Sequence, residues 1–264
     1  MTRPEATLKK DAATSLTLSE TELEQVRSDR EGLEWLHEFL AEEGALEMVQ
    51  PGGAPSATPI SGQAFDLIVE FEVTGEQAYT QKYRRPVWPK GQSGVTIGIG
   101  YDVGYASKPQ LWADWNGAIP DAMITALEGA LGVTGTPASA VAKRLQSTVD
   151  VPWQGAIKVH REKVLPRWVG LVERSLSNTG MIGPDCLGAL VSLTYNRGAS
   201  FGKPGARYRE MRNIKSHLAS REFRAIPDEF RSMKRLWPDL TGLQKRRERE
   251  ARLFEQGLAA LPSG

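Results

Sequence analysis

Cysteine is nearly absent from this chain: Cys186 stands alone among 264 residues, so no intrachain disulfide can form and the fold must rest on its core. That fits synthesis in a reducing cytoplasm. Histidine is scarce as well, and His37, His160 and His217 lie far from one another and from Cys186, which gives no metal-ligand spacing. No serine or cysteine has a paired base motif, so nucleophilic catalysis lacks support. Gly98-x-Gly100-x-x-x-Gly104 misses the dinucleotide spacing, and no cofactor is implied. Nowhere does the chain approach the roughly 18 consecutive apolar residues of a membrane span. The first residues run into Lys9, Lys10 and Asp11 without the apolar core of a signal peptide. Membrane insertion is not expected, and any target outside the cytoplasm has to be reached by other means.

The net charge of +1 hides an asymmetry. Residues 1–62 hold 5 Lys/Arg against 12 Asp/Glu, and the remainder holds 28 against 20, so an acidic extension precedes a basic body. A basic body suits an anionic polymer, whether nucleic acid, acidic membrane or bacterial cell wall, and charge does not choose among them. Ser19-Glu20-Thr21-Glu22 is a capping-box pattern. The helix it predicts carries Val26, Leu33 and Leu40 on one stripe and can stop at Gly44. That stripe suits docking on the main body or on a partner. Residues 51–60, from Pro51-Gly52-Gly53 to Pro59, read as a linker. The division is therefore an acidic helical extension (1–50), a Pro/Gly linker (51–60) and a main domain (61–264).

From Ser61 a helix with Ala64, Leu67, Ile68 and Phe71 on one face is predicted, ending at Glu72. The Tyr, Trp, Val, Ile, Thr and Gly content of residues 79–105 predicts short strands and tight turns. Beyond Pro109 helices are predicted over about 120–131, 137–148, 154–176, 184–197, 205–219, 222–236 and 242–259, with a kink at Pro166. The order is that of a mainly helical α+β fold with a small sheet as the minor lobe.

Four segments are more specific. Glu72 is followed seven residues later by Tyr79, then by Thr96-Ile97-Gly98-Ile99-Gly100; Ala189-Leu190-Val191-Ser192-Leu193-Thr194-Tyr195-Asn196-Arg197-Gly198 ends an apolar helix; and Gly242-Leu243-Gln244-Lys245-Arg246-Arg247-Glu248-Arg249-Glu250 opens the last one. In order and spacing they resemble the phage-type lysozymes, over residues 61 to about 255. The resemblance implies a lysozyme-like fold with an antiparallel β lobe and a larger helical lobe. It implies a muramidase that cleaves between N-acetylmuramic acid and N-acetylglucosamine, with Glu72 as the acid. The family's second carboxylate would fall at Gln81, which cannot serve as a base. Asp102, six residues after Thr96, is the nearest replacement, an arrangement similar to the killing domain of pesticin-type bacteriocins.

The chemistry needs an acid on one side of the glycosidic bond and a carboxylate on the other, to activate water or attack the sugar. Glu72 can supply the first, and Asp102 with the Thr96 hydroxyl the second. Tyr79, Tyr101, Gly98, Gly100 and Asn196 are the expected substrate contacts, and Trp88, Trp112 and Trp115 can stack on sugars. Trp153, Trp168 and Trp237 are expected in the core. Each has a plainer reading: Glu72 as an ion-paired helix end with Glu70 and Glu76 as rivals, Asp102 as a brace of its turn, Thr96 as a strand residue and Tyr79 as core. The Lys245–Arg252 run reads as a solvated helix face with local ion pairs rather than a nucleic-acid site. Peptidoglycan strands are the expected partner. The missing signal peptide fits a phage endolysin or an antibacterial effector or bacteriocin, the latter with an immunity protein and delivery machinery that the extension can engage. A lytic transglycosylase, which needs only the glutamate, and a non-catalytic wall-binding module remain as alternatives.

Overall fold

The computed structural model of the chain describes Ser19, Thr21 and residues 53–261. The expected helix of the extension, with its Val26, Leu33 and Leu40 stripe, lies outside the described residues apart from those two positions. Residues 54–60 carry no regular structure, as their prolines dictate, yet they lie against the body. Ser56 N–H donates to Pro166 O at 2.8 Å, Arg174 Nη1 donates to Ala54 O at 2.8 Å, and Ile60 packs on the core. The expected linker is thus a strap, and the folded body begins by residue 53 rather than at 61.

Helix α1 (Gly62–Val73) starts where Ser61 accepts from Ala64 N–H at 3.1 Å, and its buried face is Ala64, Phe65, Leu67, Ile68 and Phe71 with Val69 and Val73. It stops at Thr74, whose φ of +69° takes the chain out of the helix while its N–H returns to Glu70 O. A short helix α2 (Glu76–Lys82) follows, where strand had been expected. The sheet is smaller than predicted, a hairpin of β1 (Thr96–Ile97) and β2 (Tyr101–Asp102), antiparallel, with Thr96 opposite Asp102 and Ile97 opposite Tyr101. Val87 adds one bridge to Thr96.

The remaining helices are α3 (Lys108–Trp115), α4 (Asp121–Leu127), α5 (Thr136–Leu145), α6 (Trp153–Val159), α7 (Leu165–Ser175), α8 (Pro184–Arg197), α9 (Arg209–Ser220), α10 (Ile226–Ser232) and α11 (Thr241–Ala259). Only α3 is not anticipated, although Ser107 caps it by accepting from Gln110 N–H at 3.3 Å and Pro109 sits in its first turn. Between α6 and α7 the helix runs on through a π turn, His160–Val164. Pro166 cannot donate to the carbonyl four residues back, and the wider turn just before it accommodates the ring. The architecture is mainly helical α+β.

Helix α8 is the axis of the fold. Every residue from Cys186 to Thr194 is buried, and α1, α7 and α11 pack around it. Gly188 lies against Ala64 of α1, where any Cβ would collide. Each fully buried leucine of this helix contributes about 1.5–3 kcal/mol. Cys186 donates to Phe254 O, and burial pushes its thiol up to about 12, which makes it a packing residue and not a nucleophile.

Candidate active site

Glu72 lies in the last turn of α1 with its side chain 15% exposed, and its Oε1 accepts from Arg246 Nη1 at 2.9 Å. Arg246 comes from the first turns of α11 and is itself buried. Its Nε lies 3.3 Å from Glu250 Oε1, and its Nη2 donates to Ser192 O at 3.0 Å. Glu250 also accepts from Ser192 Oγ at 2.6 Å and from Arg247 Nη2 at 2.9 Å, and Arg247 Nη2 reaches Asn196 Oδ1 at 3.2 Å. A continuous network therefore joins Glu72, Arg246, Glu250, Arg247 and Asn196. This overturns the reading of residues 245–252 as a solvated face, because Arg246, Arg247, Arg249 and Glu250 are all buried. Helix α8 is buried on every side and offers Ser192 and Asn196 as the polar partners that the charges need. Removing Arg246 from such a set would cost about 3–5 kcal/mol, since Glu72 would lose its cation and Glu250 would be left with Arg247 alone.

The rivals of Glu72 are placed elsewhere. Glu70 is ion-paired with Arg249 at 2.6 Å, and Glu76 is exposed in the first turn of α2. Gln81, where the resembling family has its second carboxylate, is exposed on α2.

Asp102 is 6% exposed, and both of its oxygens are engaged by backbone. Oδ2 accepts from Gly94 N–H at 2.8 Å and Oδ1 from Gly104 N–H at 2.9 Å, which caps the 3₁₀ turn Val103–Tyr105. The bracing role is therefore present in the structure. Burial pushes the carboxyl up to about 6, with the backbone donors pulling the other way. Thr96 faces it in the hairpin register and is partly exposed. Its backbone N–H and C=O are bonded to Val87 at 2.8 and 3.0 Å, and neither bond uses the hydroxyl.

Several expected substrate contacts are packing residues instead. Tyr79 is fully buried, with its hydroxyl donated to Val151 O at 2.9 Å and its ring against Trp153. Tyr101 is 1% exposed and donates to Asp114 Oδ2 at 2.9 Å, on a carboxylate that Arg167 also grips with both of its terminal nitrogens. Gly98 and Gly100 have φ of +58° and +71°, and a Cβ there would lie 2.8 Å from the Trp115 ring and from the Tyr195 hydroxyl respectively. The left-handed turn and its close packing are enough to require glycine at both positions. Trp115 is fully buried, Trp112 donates to Glu128 at 2.7 Å and Trp88 donates to Ser93 O at 3.1 Å. Asn196 stays partly exposed at the end of α8. Tyr195 beside it donates to Ile99 O at 3.0 Å, so the end of α8 also holds the turn of the hairpin.

His160 was not anticipated as part of this region. It is 1% exposed at the start of the π turn, between the rings of Phe65 and Tyr195 and beside the Ile99 backbone. Burial lowers its pKa to about 4, and the charge of Glu72 offsets part of that. The sequence carries only an indirect signal, Pro166, which demands the wide turn that His160 opens. Among the described residues no group of three His, Cys, Asp or Glu side chains is placed to hold a metal ion.

A family model described as Domain of unknown function (DUF8812) matches residues 68–155. The match takes in Glu72, Thr96 and Asp102 and leaves Asn196 and Arg246 outside it. No curated protein matches the chain.

Proposed function

We propose that the protein is a lysozyme-type glycoside hydrolase that cuts peptidoglycan between N-acetylmuramic acid and N-acetylglucosamine. The observation that carries this reading is the convergence of the four motif segments. Glu72 of the first is held by Arg246 of the fourth, the third supplies Ser192 and Asn196 to the same network, and its Tyr195 holds the Ile99 carbonyl of the second. Glu72 is partly exposed and is fixed by a buried cation that also reaches Ser192 of α8; Glu70, equally exposed, is paired with Arg249 instead. Glu72 delivers a proton to the leaving glycosidic oxygen, while Asp102 takes the proton of a water that the Thr96 hydroxyl helps to hold. Such an enzyme serves as an antibacterial effector, a bacteriocin or a phage endolysin, released or delivered by a separate machine.

One observation favours a second reading, the lytic transglycosylase. Both oxygens of Asp102 already accept backbone N–H bonds. An enzyme that closes an anhydro sugar needs no second carboxylate, and there Asp102 is only a brace. Initial digestion rates on one batch of sacculi separate the two. For a hydrolase, Asp102→Asn removes most activity, Thr96→Ala part of it and Gln81→Ala little. If Asp102→Asn melts like wild type and digests at the wild-type rate, Asp102 is not the base.

A further inference from the structure

Beyond Asn196, the end of α8 enters an arrangement that the glutamate network does not explain. The Arg197 guanidinium lies over two rings, its Cζ 5.1 Å from the centre of Trp237 and 6.0 Å from that of Tyr208. Arg247 approaches the same Trp237 ring at 5.8 Å, and Lys203 approaches Tyr208 at 6.0 Å. Cations and rings thus alternate in the order Lys203, Tyr208, Arg197, Trp237, Arg247. Three buried donors in this stack have no acceptor among the described residues: Arg197 Nη1, Arg247 Nη1 and Trp237 Nε1. Among the described residues, no carboxylate lies within ion-pair distance of Arg197, whose Nη2 donates only to the Arg207 carbonyl at 3.0 Å. The nearby acids are committed, Glu250 to Arg246, Arg247 and Ser192, and Glu210 to Arg209, Arg235 and Ser232. Burial and the neighbouring charges of Arg247 and Arg207 drive the Arg197 pKa down to about 9.

A buried cation crowded by like charges, beside donors that lack acceptors, is costly unless an anion completes it. Cation–ring contacts soften that cost but supply no hydrogen-bond acceptor. We propose that Arg197, Arg247 and Trp237 form an oxyanion-binding subsite that takes a carboxylate or phosphate group. A guanidinium fork suits either planar or tetrahedral oxygens, and the indole N–H adds a third donor. On the muramidase reading, the anion is a carboxylate of the peptide stem carried by the glycan. Without it, the anion is a free one such as phosphate. Arg247 links the subsite to Glu72 through Glu250 and Arg246, so occupancy would bear on the candidate acid.

The test is thermal melting and titration calorimetry of the whole chain at low ionic strength. The probes are inorganic phosphate, and purified glycan fragments with and without their stem peptides. Wild type should melt higher as phosphate is added, and Arg197→Met should lose that rise. The variant should melt no lower than wild type without added anion, because it discards an uncompensated charge. Lys158→Gln, an exposed cation on α6, should behave as wild type. If the stem supplies the anion, stem-bearing fragments bind wild type about tenfold more tightly than stem-free ones, and Arg197→Met binds both alike. Phosphate stabilisation without a stem preference assigns the site to a free anion and leaves the glycan reading to be judged by digestion alone. If neither phosphate nor stem-bearing fragments shift wild type more than Arg197→Met, the subsite does not exist.

Discussion

At the scale of single residues, the account turns on groups whose surroundings set their protonation. Glu72→Gln should reduce sacculus digestion about 10²- to 10⁴-fold, because an amide cannot deliver a proton. It should also lower stability by about 1–2 kcal/mol, since Arg246 loses one charged partner while keeping Glu250. Melting and digestion on the same preparation check both. With its carboxyl raised to about 6 by burial, Asp102 acts as a base only when ionised. Digestion should therefore climb as pH rises through about 6, and a rate that is flat from pH 5 to 7 would argue against that role. His160 and Asp102 should also have opposite effects on stability. His160 is neutral in the fold down to about pH 4, so as pH falls below its ordinary value near 6.5 the unfolded chain takes the proton first and stability is lost. Asp102 is protonated in the fold below about 6 but stays charged in the unfolded chain down to its ordinary value of 3.8, so it adds stability as pH falls through that window. By pH 5 each effect is worth about 1–2 kcal/mol, and they nearly cancel. His160→Phe should unmask the Asp102 effect and be relatively more stable at pH 5 than at pH 7, compared with wild type. Equal pH profiles for variant and wild type, measured by denaturant unfolding, would rule out a depressed His160.

At the scale of elements, the strap changes where the body can be cut. A chain beginning at residue 53 should melt as the full chain does and digest sacculi equally well. One beginning at residue 61 loses the Ser56–Pro166 and Ala54–Arg174 bonds and the packing of Ile60, and should melt several degrees lower. Equal melting of the two truncations would mean that the strap carries no stability. The strap is hard to read in sequence because proline and glycine report only that helix and strand are excluded, not that the segment adheres to a surface. Periodicity did locate α1 and α4 to α11, since each buries a face whose apolar residues recur at helical spacing. It missed α2, which buries only Ala78 and Tyr79, and α3, whose Ser107 cap and Pro109 were the available signs. The Thr96–Asp102 register follows from the two glycines between the strands. What could not be read was burial of charge: Arg246 and Glu250 have the local spacing of surface pairs, and only a partner helix with serine and asparagine among its apolar residues draws them inside.

For the whole molecule, the arrangement is a helical body around α8 to which a minimal hairpin is fixed by Tyr195 on one side and by the backbone bonds of Asp102 within. Both candidate carboxylates are thereby tied to the same helix, Glu72 through Arg246 and Ser192, Asp102 through the turn that Tyr195 holds. A glycan-cleaving site built in this way should act without cofactor, and its chemistry is written in its products. The most direct test is mass analysis of the soluble fragments released from purified sacculi by wild type beside Glu72→Gln. Wild type should release fragments with N-acetylmuramic acid reducing ends, each one water heavier than its anhydro counterpart, and Glu72→Gln should release none. Fragments ending in anhydro sugars would replace the hydrolase with a transglycosylase, and wild type that binds sacculi but releases nothing would contradict the enzymatic account altogether.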